Sequence, residues 1–377
     1  MNNVDSESLS VFLQTLLRQG VADGVFPGAA AAVALGCGDQ RQLCTATTGT
    51  TRLDDQGTPI QPDTFFDLAS LSKALATTLL LLDAMEQGLL RPENKYSELC
   101  RHPLPEDKKN ITIGQLLCHA SGLPAYHSYY QDFTPVPDPD SRERLLAAIR
   151  SEPLAYQPGT TCEYSDLGFL LLGDLLEELS QTSLDTLFIE RISRPLGIEE
   201  EVFYRPLSSR SHSCVDNHFA ATEYCPWRDR ILQGEVHDEH CFLFGGVSGH
   251  AGLFGTARGV AYLCGTILDT WQGQSTSLPI SPSLMQQALR PQLSGQTWRL
   301  GFDTPSPTDY TSAGQYLSRA SIGHLGYAGT SFWIDPDHAI IMILLTNRVH
   351  PSRKNTKIRE FRPWFHDRIM EYFFPAR

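Results

Sequence analysis

The segment Phe65–Leu82 constrains this chain more than any other. It reads Phe65-Phe66-Asp67-Leu68-Ala69-Ser70-Leu71-Ser72-Lys73-Ala74-Leu75-Ala76-Thr77-Thr78-Leu79-Leu80-Leu81-Leu82, apolar on nearly every side of a helix. A helix greasy all round is a buried helix, so the rest of the chain must build a core around it. With 377 residues, 41% of them hydrophobic and 19% charged, the chain has the material of an ordinary globular protein with a large core, divided into two domains or forming one elaborate domain. Inside the greasy segment sits Lys73, and lysine is almost never buried without a partner or a purpose.

The nearest partner is Ser70, three residues back on the same helical face. An amine in a dry site loses preference for its charged form and its pKa falls, which lets it take a proton from a serine. Ser-x-x-Lys at the start of a buried helix reads as an activated nucleophile with its base. Ser70–Lys73 is the sole match to that pattern in the chain. Read only as structure, Ser70 would be an N-cap and Lys73 would send its ammonium to water along an apolar stem.

The net charge of −13 argues against nucleic acid and anionic membrane surfaces as partners. The amino terminus, Met1-Asn2-Asn3-Val4-Asp5-Ser6-Glu7, has neither a positive n-region nor an apolar h-region, so no secretory signal is expected. No stretch reaches the length of a membrane span. Nine cysteines, with no Cys-x-x-Cys, indicate neither a disulfide framework nor a zinc ribbon. Free thiols in a reducing cytoplasm is the simplest reading.

Helical spacing is expected over Ser6–Gly20, over the Ser70 segment to about Gly88, and at Ile113–His119, Arg142–Arg150, Leu167–Leu179 and Lys354–Phe374. Strands are expected at Ala29–Leu35, Leu43–Thr50, Gln296–Phe302, Ser318–His324, Thr330–Ile334 and Ala339–Thr346. Strands at both ends can pair into one antiparallel sheet around a helical middle. The fold class expected is α/β of the α+β type: an antiparallel sheet flanked by helices, with an inserted, mostly helical domain. The expected division is 1–66 with 245–377 as the sheet domain and 67–244 as the helical domain, the active site lying between them.

Four stretches carry a resemblance. They are Phe66-Asp67-Leu68-Ala69-Ser70-Leu71-Ser72-Lys73; Ile111-Thr112-Ile113-Gly114-Gln115-Leu116-Leu117-Cys118-His119-Ala120-Ser121-Gly122-Leu123-Pro124; Pro158-Gly159 ahead of Tyr164-Ser165-Asp166-Leu167-Gly168; and Gly323-His324-Leu325-Gly326-Tyr327-Ala328-Gly329-Thr330. In this order the chain resembles the serine β-lactamase-like superfamily, with its β-lactamase/transpeptidase-like fold. It is similar to the class C branch, which holds low-molecular-mass penicillin-binding proteins of the DD-peptidase type, esterases and D-amino-acid amidases.

The resemblance implies catalytic roles for Ser70, Lys73 and Tyr164, the last matching the tyrosine of the family's Tyr-x-Asn motif. A phenol beside an ammonium is easier to deprotonate and could shuttle protons; lysine and tyrosine both stay open as the general base. The resemblance also implies substrate-binding roles for Asp166, His324, Gly326 and Tyr327. Gly326 would let a substrate backbone approach the strand, and the backbone N–H groups of Ser70 and Tyr327 would form the oxyanion hole. No cofactor and no metal are implied. His237, Asp238, Glu239, His240 and Cys241 are adjacent, but adjacent residues rarely converge on one ion. Gly246-Val247-Ser248-Gly249-His250 is not Gly-x-Ser-x-Gly, so Ser248 is not expected to be a nucleophile. The activity implied is that of a serine hydrolase taking small esters or amides, including D-amino-acid or cell-wall peptide fragments. The alternatives are a non-catalytic penicillin-binding-like ligand sensor, an acyltransferase and a weak β-lactamase.

Two departures from the family pattern matter. Asp166 stands where the family has asparagine, and a carboxylate accepts where an amide could donate; it would also hold Lys73 charged and shift the base role toward Tyr164. Leu325 stands where threonine is common, and leucine cannot contact a substrate carboxylate. Both count against an efficient β-lactamase. A carboxylate at 166 could instead meet a substrate ammonium. On that reading Asp166→Asn lowers turnover of amino-bearing substrates more than turnover of neutral esters, and equal losses in a paired kinetic assay would discard it.

Overall fold

The computed structural model describes residues 6–209, 216–292, 296–306 and 311–375. Met1–Asp5 and Cys214 therefore lie outside the described residues, as do parts of both expected domains; the eight described cysteines are free thiols. The chain folds into a mixed α/β architecture. Five antiparallel strands run in the spatial order Gln42–Gly49, Gly28–Leu35, Ile340–Thr346, Ser331–Asp335, Ile322–Leu325. The two ends of the chain meet in this sheet, with Ala29 opposite Thr346 and Leu35 opposite Ile340.

Side chains alternate across a strand, and both faces of this sheet are covered. Ala29, Ala31, Val33, Met342 and Leu344 pack with the helices Ser6–Ala22 and Ile358–Phe373. Ala30, Ala32, Ala34, Ile341 and Ile343 pack with Val260, Leu263, Cys264 and Ile267 of the helix Ala257–Trp271. That double coverage explains why the Gly28–Leu35 strand is a near-continuous apolar run.

The greasy segment is buried as its composition requires: Lys73 through Ala84 are all buried. It is not a uniform α-helix, however. Lys73–Thr78 is π-helical and Leu79–Glu86 is α-helical. A π-turn widens the helix locally and recurs at functional sites. Gly88, at φ +73°, closes the helix as its composition suggested.

The expected strand at Gln296–Phe302 is not one. Gly301, at φ +72°, turns the chain, and the segment's amides go to neighbouring helices and loops: Leu300 N donates to Ala288 O at 3.2 Å and Gly301 N to Leu117 O at 3.0 Å. The other expected strands are present with shifted ends, Ser318–His324 being reduced to Ile322–Leu325.

Two glycines bring the loop 245–252 against the helix Asp166–Ser180. A methyl on Gly249 would fall 2.8 Å from Gly173 Cα and also strike Phe169 O. Thr77 Oγ1 then donates to Gly249 O at 2.6 Å, pinning the loop over the π-turn. Gly249→Ala should destabilise the protein by about 1–3 kcal/mol through overpacking, read as a fall in urea midpoint; an unchanged midpoint would show that the loop can move aside freely.

Candidate active site

The site grows out of the short strand Phe66–Asp67. Leu68 N donates to Leu253 O at 2.9 Å, and Thr330 Oγ1 donates to Leu68 O at 3.0 Å. Ala69 then takes φ +50°, a sparsely populated conformation for a residue with a side chain. Asp67 Oδ1 holds that turn by accepting from Ala69 N at 2.8 Å, while Asp67 Oδ2 accepts from His237 N at 2.6 Å. The turn delivers Ser70 to the edge of a cavity of about 750 Å³.

Lys73 Nζ donates to Ser70 Oγ at 2.9 Å and to His250 O at 3.2 Å, and it lies 2.7 Å from Asp166 Oδ1. Its side chain has no exposed surface, so it does not send its ammonium to solvent. Burial alone would push its pKa down, as expected from sequence. The net direction is the opposite: Asp166, and after it Tyr164, outweigh burial and raise the pKa above the ordinary lysine value. The expectation of a neutralised amine is therefore corrected, and the consequence foreseen for Asp166 holds.

Tyr164 lines the same cavity as Ser70, and Lys73 Nζ is 5.0 Å from its ring centroid. The ammonium does pull the phenol toward ionisation, but burial is the larger influence and Asp166 adds to it, so the pKa of Tyr164 is raised rather than lowered. Lys73 and Tyr164 thus rest as ammonium and phenol.

His119 is a site residue that the sequence reading left without a role. It sits at φ +55°, and its carbonyl accepts from Tyr156 Oη at 2.8 Å and Glu163 N at 2.9 Å. Its Nδ1 accepts from Ser165 N at 3.0 Å. These bonds grip the turn carrying Tyr164 from both sides, and the His119 ring lies 4.6 Å from Tyr164 and 4.3 Å from Trp298. His324, from the strand Ile322–Leu325, completes the ring cluster 5.9 Å from Tyr164. Trp298 was also missed, because it enters from a loop with no motif; His119 stood inside a quoted motif and no contact could be assigned to it.

The remaining expected residues border the same cavity: Asp166, His324, Gly326 and Tyr327 all line it. Among the described residues, neither Ser70 N nor Tyr327 N donates to a protein acceptor, and both residues line the cavity. Tyr327 is fixed through its carbonyl, which accepts from Arg348 Nε at 3.0 Å and from Arg348 Nη2. Gly326 is also required by the protein's own packing. A methyl there would lie 2.6 Å from Leu68 O and strike Thr330 Oγ1, so the close approach it allows is made by the protein's own chain. Ser248 is buried, with its Oγ 3.0 Å from His250 Nδ1.

The family of the chain follows from comparison. Its sequence matches the Beta-lactamase family model over residues 13–362, and the chain belongs to that family. It is 32% identical over 307 residues to the "N-acetylmuramyl-L-alanine amidase" of Bacillus subtilis (strain 168), covering 76% of this chain and 68% of the relative. It is 31% identical over 311 residues to a "Putative D-alanyl-D-alanine carboxypeptidase" of Escherichia coli (strain K12), covering 76% and 70%. In structure it is similar to the octameric penicillin-binding protein homologue from Pyrococcus abyssi, with TM-score 0.72, 18% identity and coverage of 97% and 78%. It is also similar to EstCE1, described as a hydrolase with promiscuous acyltransferase activity, with TM-score 0.71, 20% identity and coverage of 96% and 100%. Family and relatives support a hydrolase. No helix among the described residues is long and apolar enough to cross a membrane.

The buried imidazoles make stability acid-sensitive. Burial pushes the pKa of His324 down to about 3, with Lys73 adding to the shift; burial does the same to His366, also to about 3. The unfolded chain binds a proton at each near pH 6.5 while the folded chain does not. Stability is therefore fully present above pH 6.5 and is lost as pH falls through that window toward 3, by about 1.4 kcal/mol per unit per group. His324→Gln should flatten the fall in urea midpoint between pH 6.5 and 4.5; an unaltered slope would deny the linkage.

Proposed function

We propose that the protein is a serine hydrolase working through an acyl-enzyme on Ser70, and that it cleaves small amides or esters, cell-wall peptide fragments among them. The observation that carries this reading is the Ser70–Lys73–Tyr164 cluster at the rim of a cavity, with the Ser70 and Tyr327 amides unsatisfied. Ser70 Oγ attacks the carbonyl carbon, and those two N–H groups receive the oxyanion. Such donors act where charge develops, and losing one costs about 100- to 1000-fold.

Asp166 holds Lys73 as an ammonium, which leaves the amine unable to accept the serine proton. The reactive microstate is then the one in which Tyr164 has shed its proton beside that ammonium. The Tyr164 phenolate takes the Ser70 proton as the C–O bond forms and returns it to the leaving nitrogen or oxygen. Tyr164 next takes a proton from water as that water's oxygen bonds to the acyl carbon, and it gives the proton to Ser70 Oγ as the acyl C–O bond to Ser70 breaks and the acid leaves. Because the phenol's pKa is raised, the active fraction grows with pH above neutrality.

The names of the relatives, an amidase acting on N-acetylmuramyl-L-alanine and carboxypeptidases acting on D-alanyl-D-alanine, favour fragments of cell-wall peptides as substrates. Arg359 is among the residues lining the cavity and adds positive charge there, the sign that favours a peptide carboxylate. Transfer of the acyl group to an amine or alcohol in place of water is the second reading, favoured by the fold shared with EstCE1.

Screening esters, D-amino-acid amides, muramyl peptides and β-lactams against the wild type and Ser70→Ala tests the proposal. Ser70→Ala should lose labelling by a fluorescent acyl-serine probe and at least about 1000-fold in kcat/KM, and Tyr164→Phe should lose comparably. The wild-type rate should rise between pH 7 and 9, and Asp166→Asn should move that rise to lower pH by removing a charge that raises the phenol's pKa. Labelling that survives in Ser70→Ala would overturn the assignment.

A further inference from the structure

We propose a divalent transition-metal site, suited to Zn²⁺, formed by Asp238, His240 and His250 at the cavity wall. The run His237–Cys241 alone argued against a metal, since neighbours in sequence rarely point at one ion. The fold changes this by bringing His250 across from the loop that caps Lys73. The ligand atoms of Asp238, His240 and His250 lie within 4.8 Å of one another.

His240 supplies an independent observation. It is 0% exposed, and neither of its ring nitrogens has a hydrogen-bond partner. A buried imidazole with two unpaired nitrogens is costly, and a missing ion is one standard explanation for such a group. The Tyr126 and Tyr130 rings, 5.1 and 6.0 Å from it, pack against its ring and offer no replacement for that partner.

The other two ligands are already poised. His250 Nε2 lies 2.8 Å from Asp238 Oδ1, and His250 Nδ1 lies 3.0 Å from Ser248 Oγ. Ser248 Oγ donates onward to Ala251 O at 3.2 Å, so it accepts from Nδ1–H and leaves Nε2 to carry the lone pair for a metal. That is the outer-shell arrangement which fixes a ligating imidazole. With bonds of about 2.0 Å, ligands of a tetrahedral ion stand about 3.3 Å apart, so the Asp238–His250 pair needs to open only slightly when the ion replaces the shared proton. Two imidazoles and a carboxylate select a borderline cation of the zinc type over calcium or magnesium.

Asp238 lines the substrate cavity, so the fourth coordination position opens there to water or an anionic substrate oxygen. The ion would also clip the helix Glu239–Leu243 to the loop whose His250 carbonyl receives Lys73. A second group, Glu223, Cys225 and Glu239, has its cation in the protein itself, because Arg353 bonds Glu223 Oε1 at 2.7 Å and Glu239 Oε1 at 2.6 Å.

The test titrates metal-stripped protein with Zn²⁺ in a calorimeter and with Co²⁺ in the visible spectrum. About one equivalent should bind, with the intense d–d bands of four-coordinate Co²⁺. His240→Phe keeps the ring between the tyrosines, and Asp238→Asn keeps the helix cap on Cys241 N; each should weaken Zn²⁺ by at least about tenfold with circular dichroism unchanged. Absence of stoichiometric binding in the wild type, or wild-type affinity retained in both variants, overturns the site whether or not Ser70 proves catalytic.

Discussion

A cation with no exposed surface sits at the base of this site, and the Lys73–Asp166 pair is what makes that tolerable. Removing an ammonium from water costs several kcal/mol even after relaxation. Asp166 Oδ1 at 2.7 Å offsets that cost, and Ser70 Oγ and His250 O share the remaining donors. The pair sets the protonation state of everything around it. The amine stays charged, the phenol stays protonated, and the nucleophile receives a hydrogen bond from an ammonium.

The rest of the fold keeps these groups within reach of one another. Asp67 and Thr330 hold the strained turn before Ser70. His119 grips the turn that bears Tyr164. Gly173 and Gly249 allow the loop to lie close enough for the Gly249 and His250 carbonyls to cap the π-turn. Arg348 steadies the Tyr327 carbonyl at the cavity wall. Apart from the local Asp67–Ala69 bond, these contacts join segments distant in sequence, so the constellation exists only once the sheet and the helical region have come together.

Much of the fold could be read from the residues. Period-2 and unbroken apolar runs located most of the central strands, and the all-round apolar helix announced its own burial. Gln296–Phe302 failed because one glycine at positive φ outweighs a local aromatic and aliphatic pattern. His119 and Trp298 escaped notice because their importance lies in rings packed on Tyr164 from separate segments. Ser70, Lys73 and Tyr164 were visible because their residue types stand at motif spacing.

What the sequence determined by itself was the buried Ser-x-x-Lys segment, the strands near the two chain ends, and the presence of a carboxylate at 166. These are local facts of residue type and period. Tertiary structure decided the sign of the Lys73 shift, since burial and a nearby carboxylate push in opposite directions and only the 2.7 Å separation tells which prevails. It also decided that His250 joins Asp238 and His240, because convergence depends on how a loop folds back and no spacing encodes it.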